Sequence, residues 1–173
     1  MLQIEDFRRK GTTLILTQTE RTELINHIRQ LPARVEAAIK SLKEEQLNVP
    51  YRKDGWTIRQ VVHHLADSHM NAFIRMKLLL TEEKPRLKPY DQEKWAVLSD
   101  TAKTPLQSSL SILEGVHNRW SVLLDNMPEQ SWGRSGFHPE VGEVTVEDLL
   151  STYSHHGDNH LSQIAGLITE KGW

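Results

Sequence analysis

The stretch TVEDLLSTYSHHGDNHLSQIAGLITE, residues 145–170, decides the fold. It opens on Thr145, whose side chain suits a helix N-cap because it can accept from the first free amides. At ~100° of turn per residue, Val146, Leu149, Leu150, Tyr153, Leu161, Ile164 and Ile168 share one apolar arc. A helix this long with a single apolar face needs other helices to cover it. His160 falls inside the arc, His156 at its edge, and His155 on roughly the opposite side. His156 and His160 are four apart, so their rings lie one above the other and can converge on one ion, with Gly157 between them giving room. A third imidazole from another helix would complete a three-ligand site with an open position, the pattern of a catalytic rather than a structural metal.

Upstream, Gly55-Trp56-Thr57 starts a second long helix with Thr57 as N-cap. Ile58, Val61, Val62, Leu65, His69, Phe73, Met76 and Leu80 recur at helical spacing to about Thr81. The third ligand must come from this helix. Spacing favours His69, in the middle of the stripe; His64 lies outside its edge and His63 on the far side. A helix at a bundle corner buries two faces, which keeps His64 open. Asp67, one turn after His64, is either a solvated charge or a carboxylate that orients a histidine from behind.

Two further helices follow from the same pattern. Thr19 caps one opening at Glu20, with Leu24, Ile25 and Ile28 as its stripe; Pro32 breaks or kinks it, and Val35 to Leu42 continue it. Thr104-Pro105, with proline at the first helical position, starts another through Leu110, Leu113, His117, Trp120 and Leu124 that stops near Pro128. Glu44 to Pro50 reads as an exit and turn. Glu82 to Trp95, with Pro85 and Pro89, reads as a long loop with room for a short helical turn. Phe137 to Val146 reads as a connection that can form a small β-hairpin. The expected architecture is all-α: a four-helix bundle with irregular loops, residues 19–173 as a single domain and residues 1–18 as an N-terminal arm.

The whole chain limits the function classes. Its 173 residues suit one domain with a sizeable core. With 38% hydrophobic and 25% charged residues it is not a disordered composition. A formal net charge of -2, with no basic run interleaved with aromatics, argues against a nucleic-acid partner. No apolar run reaches the ~20 residues of a membrane span, and the N-terminus lacks a secretory pattern, so no membrane partner is expected and a cytoplasmic protein is the simplest reading. The absence of cysteine excludes disulfides, thiolate ligands and a cysteine nucleophile. A zincin would need glutamate where Gly157 stands. A di-iron bundle would need two Glu-x-x-His pairs, and only Glu114 with His117 fits.

The run Gly55 to Asn71, with its His63-His64-Leu65-Ala66-Asp67 centre, resembles the second-helix signature of the DinB-like superfamily in its YfiT branch. Lys88-Pro89-Tyr90-Asp91 with Trp95, the Phe137-His138-Pro139-Glu140 loop and the closing His-x-x-x-His are similar to that branch too. The resemblance runs from about Thr17 to the C-terminus. It implies an up-down-down-up bundle, commonly a homodimer, with one divalent metal on three histidines. The family's helix-two ligand directly precedes Leu-Ala, which maps onto His64 rather than His69; the others map onto His156 and His160. The branch is described as metal-dependent hydrolases, and some members resemble bacillithiol S-transferases. Three neutral imidazoles leave a divalent ion its full charge, which can ionise a bound water or a bound thiol near neutral pH. The expected cofactor is Zn2+, with Ni2+ as the alternative, and a low-molecular-weight thiol is the expected cosubstrate beside a small-molecule electrophile. Hydrolysis by activated water is the alternative, and a non-catalytic helical binding module the third reading.

Overall fold

The computed structural model describes residues 15–173. Four long helices form the body: α1 (Gln18–Ile39), α3 (Ile58–Thr81), α6 (Leu106–Asp125) and α7 (Val146–Lys171). Between them lie three short helices, α2 (Glu44–Leu47), α4 (Gln92–Trp95) and α5 (Ser99–Lys103), and a hairpin of β1 (Ser135–His138) and β2 (Gly142–Thr145). The hairpin is antiparallel, pairing Ser135 with Thr145 and Phe137 with Glu143.

Three of the long helices open on the same reciprocal cap. Thr17, Thr57 and Thr145 each accept from the backbone three residues on, and Glu20, Gln60 and Asp148 reach back to the cap's own amide. Two orphan donors are satisfied at each start. For α1 this places the cap at Thr17, two residues before the expected Thr19. The spacing explains it: Thr17 stands three before Glu20, as the reciprocal cap requires, whereas Thr19 is adjacent to it. Pro105 precedes the first helical residue of α6 instead of occupying it. The expected arm of residues 1–18 lies outside the described residues for positions 1–14.

Packing gives the bundle its order. α1 packs along α6 and α7, and α3 packs along the same two, so α1 and α3 stand on one diagonal. Arg21 meets Glu147 and Leu31 meets Gly157, so α1 and α7 run parallel. His64 meets His156 and Arg75 meets Tyr153, so α3 runs against α7. His63 meets Ser109 and His69 meets His117, so α3 and α6 run parallel. The four directions are up, down, down, up.

The long connection after α3 is tied down rather than loose. Arg134 donates to the carbonyls of Leu79 (2.6 Å) and Glu82 (2.8 Å), placing positive charge at the C-terminal end of α3. Phe137 ties that segment to the hairpin: its amide donates to the Pro85 carbonyl and its carbonyl accepts from the Leu87 amide, both at 2.9 Å. Arg75, buried, donates to the Lys88 carbonyl at 2.7 Å and to the Tyr153 hydroxyl at 3.1 Å.

The apolar interior falls into two clusters. One gathers Ile25, Ile28, Ala72, Phe73, Met76, Trp120, Leu124, Leu149 and Tyr153. The other gathers Leu31, Val35, Ile58, Val61, Leu65, Leu113, Leu161 and Ile164. On α3, α6 and α7 a buried histidine stands where one cluster gives way to the other, so a polar layer crosses the bundle at mid-height.

Candidate metal centre

That layer is built of buried imidazoles. His64 is 3% exposed, His156 7% and His160 6%, while His69 and His117 are 0% exposed. The three Nε2 atoms of the first group converge: His156 lies 3.2 Å from His64 and 3.1 Å from His160. Their ligand atoms all lie within 4.8 Å of one another, and this is the one such group of three among the described residues. The two residues of α7 reach the same point because they are one turn apart, and His64 arrives from the antiparallel α3. Gly157 permits the approach of α1 beside them, since a Cβ there would lie 2.6 Å from Leu31.

The sequence-derived candidates separate cleanly. His155 is exposed, and its Nδ1 donates to the Ser151 carbonyl. His63 is buried but turns away to Ser109 on α6, at 2.8 Å. His69, which spacing favoured, does point inward, but it stands behind His156 instead of beside it, with its Nε2 3.1 Å from His156 Nδ1. The Asp67 carboxylate makes no hydrogen bond to a site histidine among the described residues; burial, ahead of the nearby Asp100, pushes it up to about 6. Gln163 takes an orienting part instead, its Oε1 accepting from His160 Nδ1 at 2.8 Å. His117, on the apolar stripe of α6 and only half of a di-iron pattern, bonds to His69 at 3.0 Å.

Burial decides the charge of these rings. It pushes His117 and His160 down to about 4, and with the neighbouring imidazoles it holds His64, His69 and His156 well below the ordinary histidine value. Near pH 7 they are neutral, the form a metal ligand requires.

A neutral imidazole has one N–H and one lone pair. Gln163 Oε1 can only accept, so His160 carries its proton on Nδ1 and turns a bare Nε2 toward His156 at 3.1 Å. Tetrahedral zinc with nitrogen at 2.0–2.1 Å would separate its ligand atoms by about 3.3 Å; two of the three separations here, 3.1 and 3.2 Å, are close to this, and the third lies within 4.8 Å. The donor set therefore fits a divalent ion of that size with at least one position left for a substrate.

Above the cluster, Trp56 covers His64 at 4.5 Å between ring centres and lies parallel to His160 at 6.4 Å. Its indole donates to Glu93 on α4 at 3.0 Å, and Gln60 donates to the Ala96 carbonyl at 3.1 Å. The segment that carries Tyr90 and Trp95, whose rings sit 4.5 Å apart, is thus held against the start of α3.

Comparison with known proteins places the fold in a family. A sequence profile described as the DinB superfamily matches residues 27–164. YfiT of Bacillus subtilis, provisionally named a metal-dependent hydrolase, is 40% identical over 159 residues, covering 91% of this chain and 89% of its own. A protein of Oceanobacillus iheyensis with the same provisional name is 45% identical over 151 residues, covering 87% of each chain. The solved structure of Bacillus subtilis YfiT, described as having an unusual four-helix bundle topology, superposes with a TM-score of 0.90 at 39% identity, covering 95% of this chain and 94% of that one.

Proposed function

The chain belongs to the DinB superfamily, and on that premise we propose that it is an enzyme holding one divalent cation on His64, His156 and His160, with a low-molecular-weight thiol and a small electrophile as its substrates. The convergence of the three neutral Nε2 atoms carries this reading. We take the ion to be Zn2+, with Ni2+ as the alternative, since imidazole donors suit both and affinity order alone does not choose. A divalent cation on three neutral donors keeps its full charge, which near neutral pH ionises a water or a thiol presented to it.

The chain's own residues do the rest. His64, His156 and His160 would hold the ion from three sides and leave at least one position for a substrate. Trp56 excludes water from one flank. No carboxylate shares the cluster or hydrogen-bonds to its histidines among the described residues, so no general base of the metalloprotease kind stands ready to take a proton from water. A thiol gives up its proton more readily than water does, which favours sulfur as the nucleophile. With no cysteine in the chain, that sulfur arrives as a cosubstrate. In the transfer its proton goes to solvent, sulfur bonds the electrophilic carbon, and the leaving group departs.

Hydrolysis is the second reading, and the names of the Bacillus and Oceanobacillus relatives carry it. Mass spectrometry of the products separates the two. Conversion of an electrophile such as a chloronitrobenzene should require an added thiol and yield the S-conjugate, and His156→Ala should abolish it. Metal-requiring turnover of an ester or amide with water alone, unchanged by thiol, would sink the transferase reading.

A further inference from the structure

Behind His156 runs a row of hydrogen bonds that crosses the whole bundle. His156 Nδ1 faces His69 Nε2 at 3.1 Å, His69 Nδ1 faces His117 Nε2 at 3.0 Å, and His117 Nδ1 meets the Ile28 carbonyl at 2.5 Å. The carbonyl settles the direction of every bond. It can only accept, so His117 holds its proton on Nδ1 and offers a lone pair at Nε2. His69 must then donate from Nδ1 and accept at Nε2, and His156 must donate from Nδ1. The lone pair left over is His156 Nε2, which faces His64 and His160.

The row has its terminus because of Pro32. In a continuous helix the amide of residue 32 would bond the carbonyl of Ile28, but proline has no N–H. Pro32 lies inside α1, so that buried carbonyl needs another donor, and His117 supplies it from α6. The row joins all four long helices.

We propose that His69 and His117 are positioning residues of the metal centre: anchored on the carbonyl that Pro32 leaves free, they lock His156 in the tautomer whose Nε2 lone pair faces the cation. The inference rests on the metal-binding reading above, yet its first test needs no metal. In metal-free protein labelled with 15N-histidine, long-range proton–nitrogen spectra should show His156, His69 and His117 all protonated on Nδ1. Protonation of His156 on Nε2 would overturn the proposal.

Zn2+ titration against a competing chelator supplies the second test. His117→Leu breaks the row without touching a ligand, and should weaken Zn2+ binding about 10-fold or more, in the range of outer-shell substitutions, while mixing the His156 tautomers. Trp120→Phe is the packing control, since Trp120 lies about 6 Å from the rings of both His69 and His117 but takes no part in the row; it should leave affinity unchanged. Equal affinity in His117→Leu, or an equal loss in Trp120→Phe, would overturn the positioning role. Should His117→Leu fail to fold, the wild-type tautomers decide. A wild-type chain that binds no divalent metal but shows the expected tautomers would count against the proposed function and leave the row as assigned.

Discussion

His155 and His156 are neighbours in the chain with opposite fates: one is exposed on the Ser151 carbonyl, the other buried at the centre of the site. His64→Ala, His156→Ala and His160→Ala should each lose stoichiometric metal, while His155→Ala keeps it; metal content of the purified variants is the measurement, and full occupancy in His64→Ala would refute the assignment. The 100° wheel reads His156 and His160 correctly because α7 has a clear outer face. It does not discriminate on α3, where His63, His64 and His69 are all buried, at 7%, 3% and 0% exposed. A stripe cannot rank histidines when the helix is covered on several sides. His117 is harder still to read, because its partner is a carbonyl freed by a proline 85 positions away in the chain. The signal was present, since a proline inside a helix always leaves an acceptor behind, but the sequence does not say which side chain answers it.

The elements are pinned together away from the site as well as at it. Arg21 on α1 donates to Glu147 on α7 at 2.8 Å, both buried, and also to Glu129 at 2.8 and 2.7 Å, whose side chain is 74% exposed. Glu147 further accepts from the Leu16 amide. Glu147→Ala takes away the buried partner of Arg21 and leaves only the exposed Glu129, so it should cost toward the lower end of the about 3–5 kcal/mol of a broken buried pair in urea unfolding. Glu129→Ala should cost less than about 1 kcal/mol. Equal costs would mean that burial does not govern the pair. Element boundaries were legible where local chemistry sets them, as at Thr57 and Thr145. The short helices Glu44–Leu47 and Ser99–Lys103 were not, because four or five residues carry too little period to see.

For the molecule as a whole, the histidine layer predicts acid sensitivity. In the unfolded chain these imidazoles take protons near the ordinary value of 6.5, while in the native state His117 and His160 take them only near about 4. The unfolded state therefore binds protons that the native state refuses. Stability is fully present above about pH 6.5 and is lost as pH falls toward about 4, by about 3 kcal/mol for one fully shifted ring. Asp67, pushed up to about 6, works the other way: its contribution is present below its ordinary value of 3.8 and fades as pH rises through about 6. It offsets part of the histidine loss. Melting temperatures of metal-free protein from pH 7 to pH 4 should fall steadily, and a flat profile would refute the neutral layer. The bundle class followed from four apolar stripes alone. The up-down-down-up order did not, because nothing in a stripe says which helix will cover it; that order came from family resemblance and agrees with the contacts among the helices.

That order has a consequence for how the chain is made. α1 and α3 stand on a diagonal, and each is covered along its length by α6 and α7. α6 begins at Leu106 and α7 at Val146, both well after α3 ends at Thr81. A ribosome releasing the chain from its N-terminus thus delivers two amphipathic helices well before the first long partner of either. Their apolar faces must wait, exposed or guarded by a chaperone, until α6 and α7 have followed. The bundle closes only once α7 has emerged, and its mid-height histidines, drawn from the second, third and fourth long helices, come together at that same step.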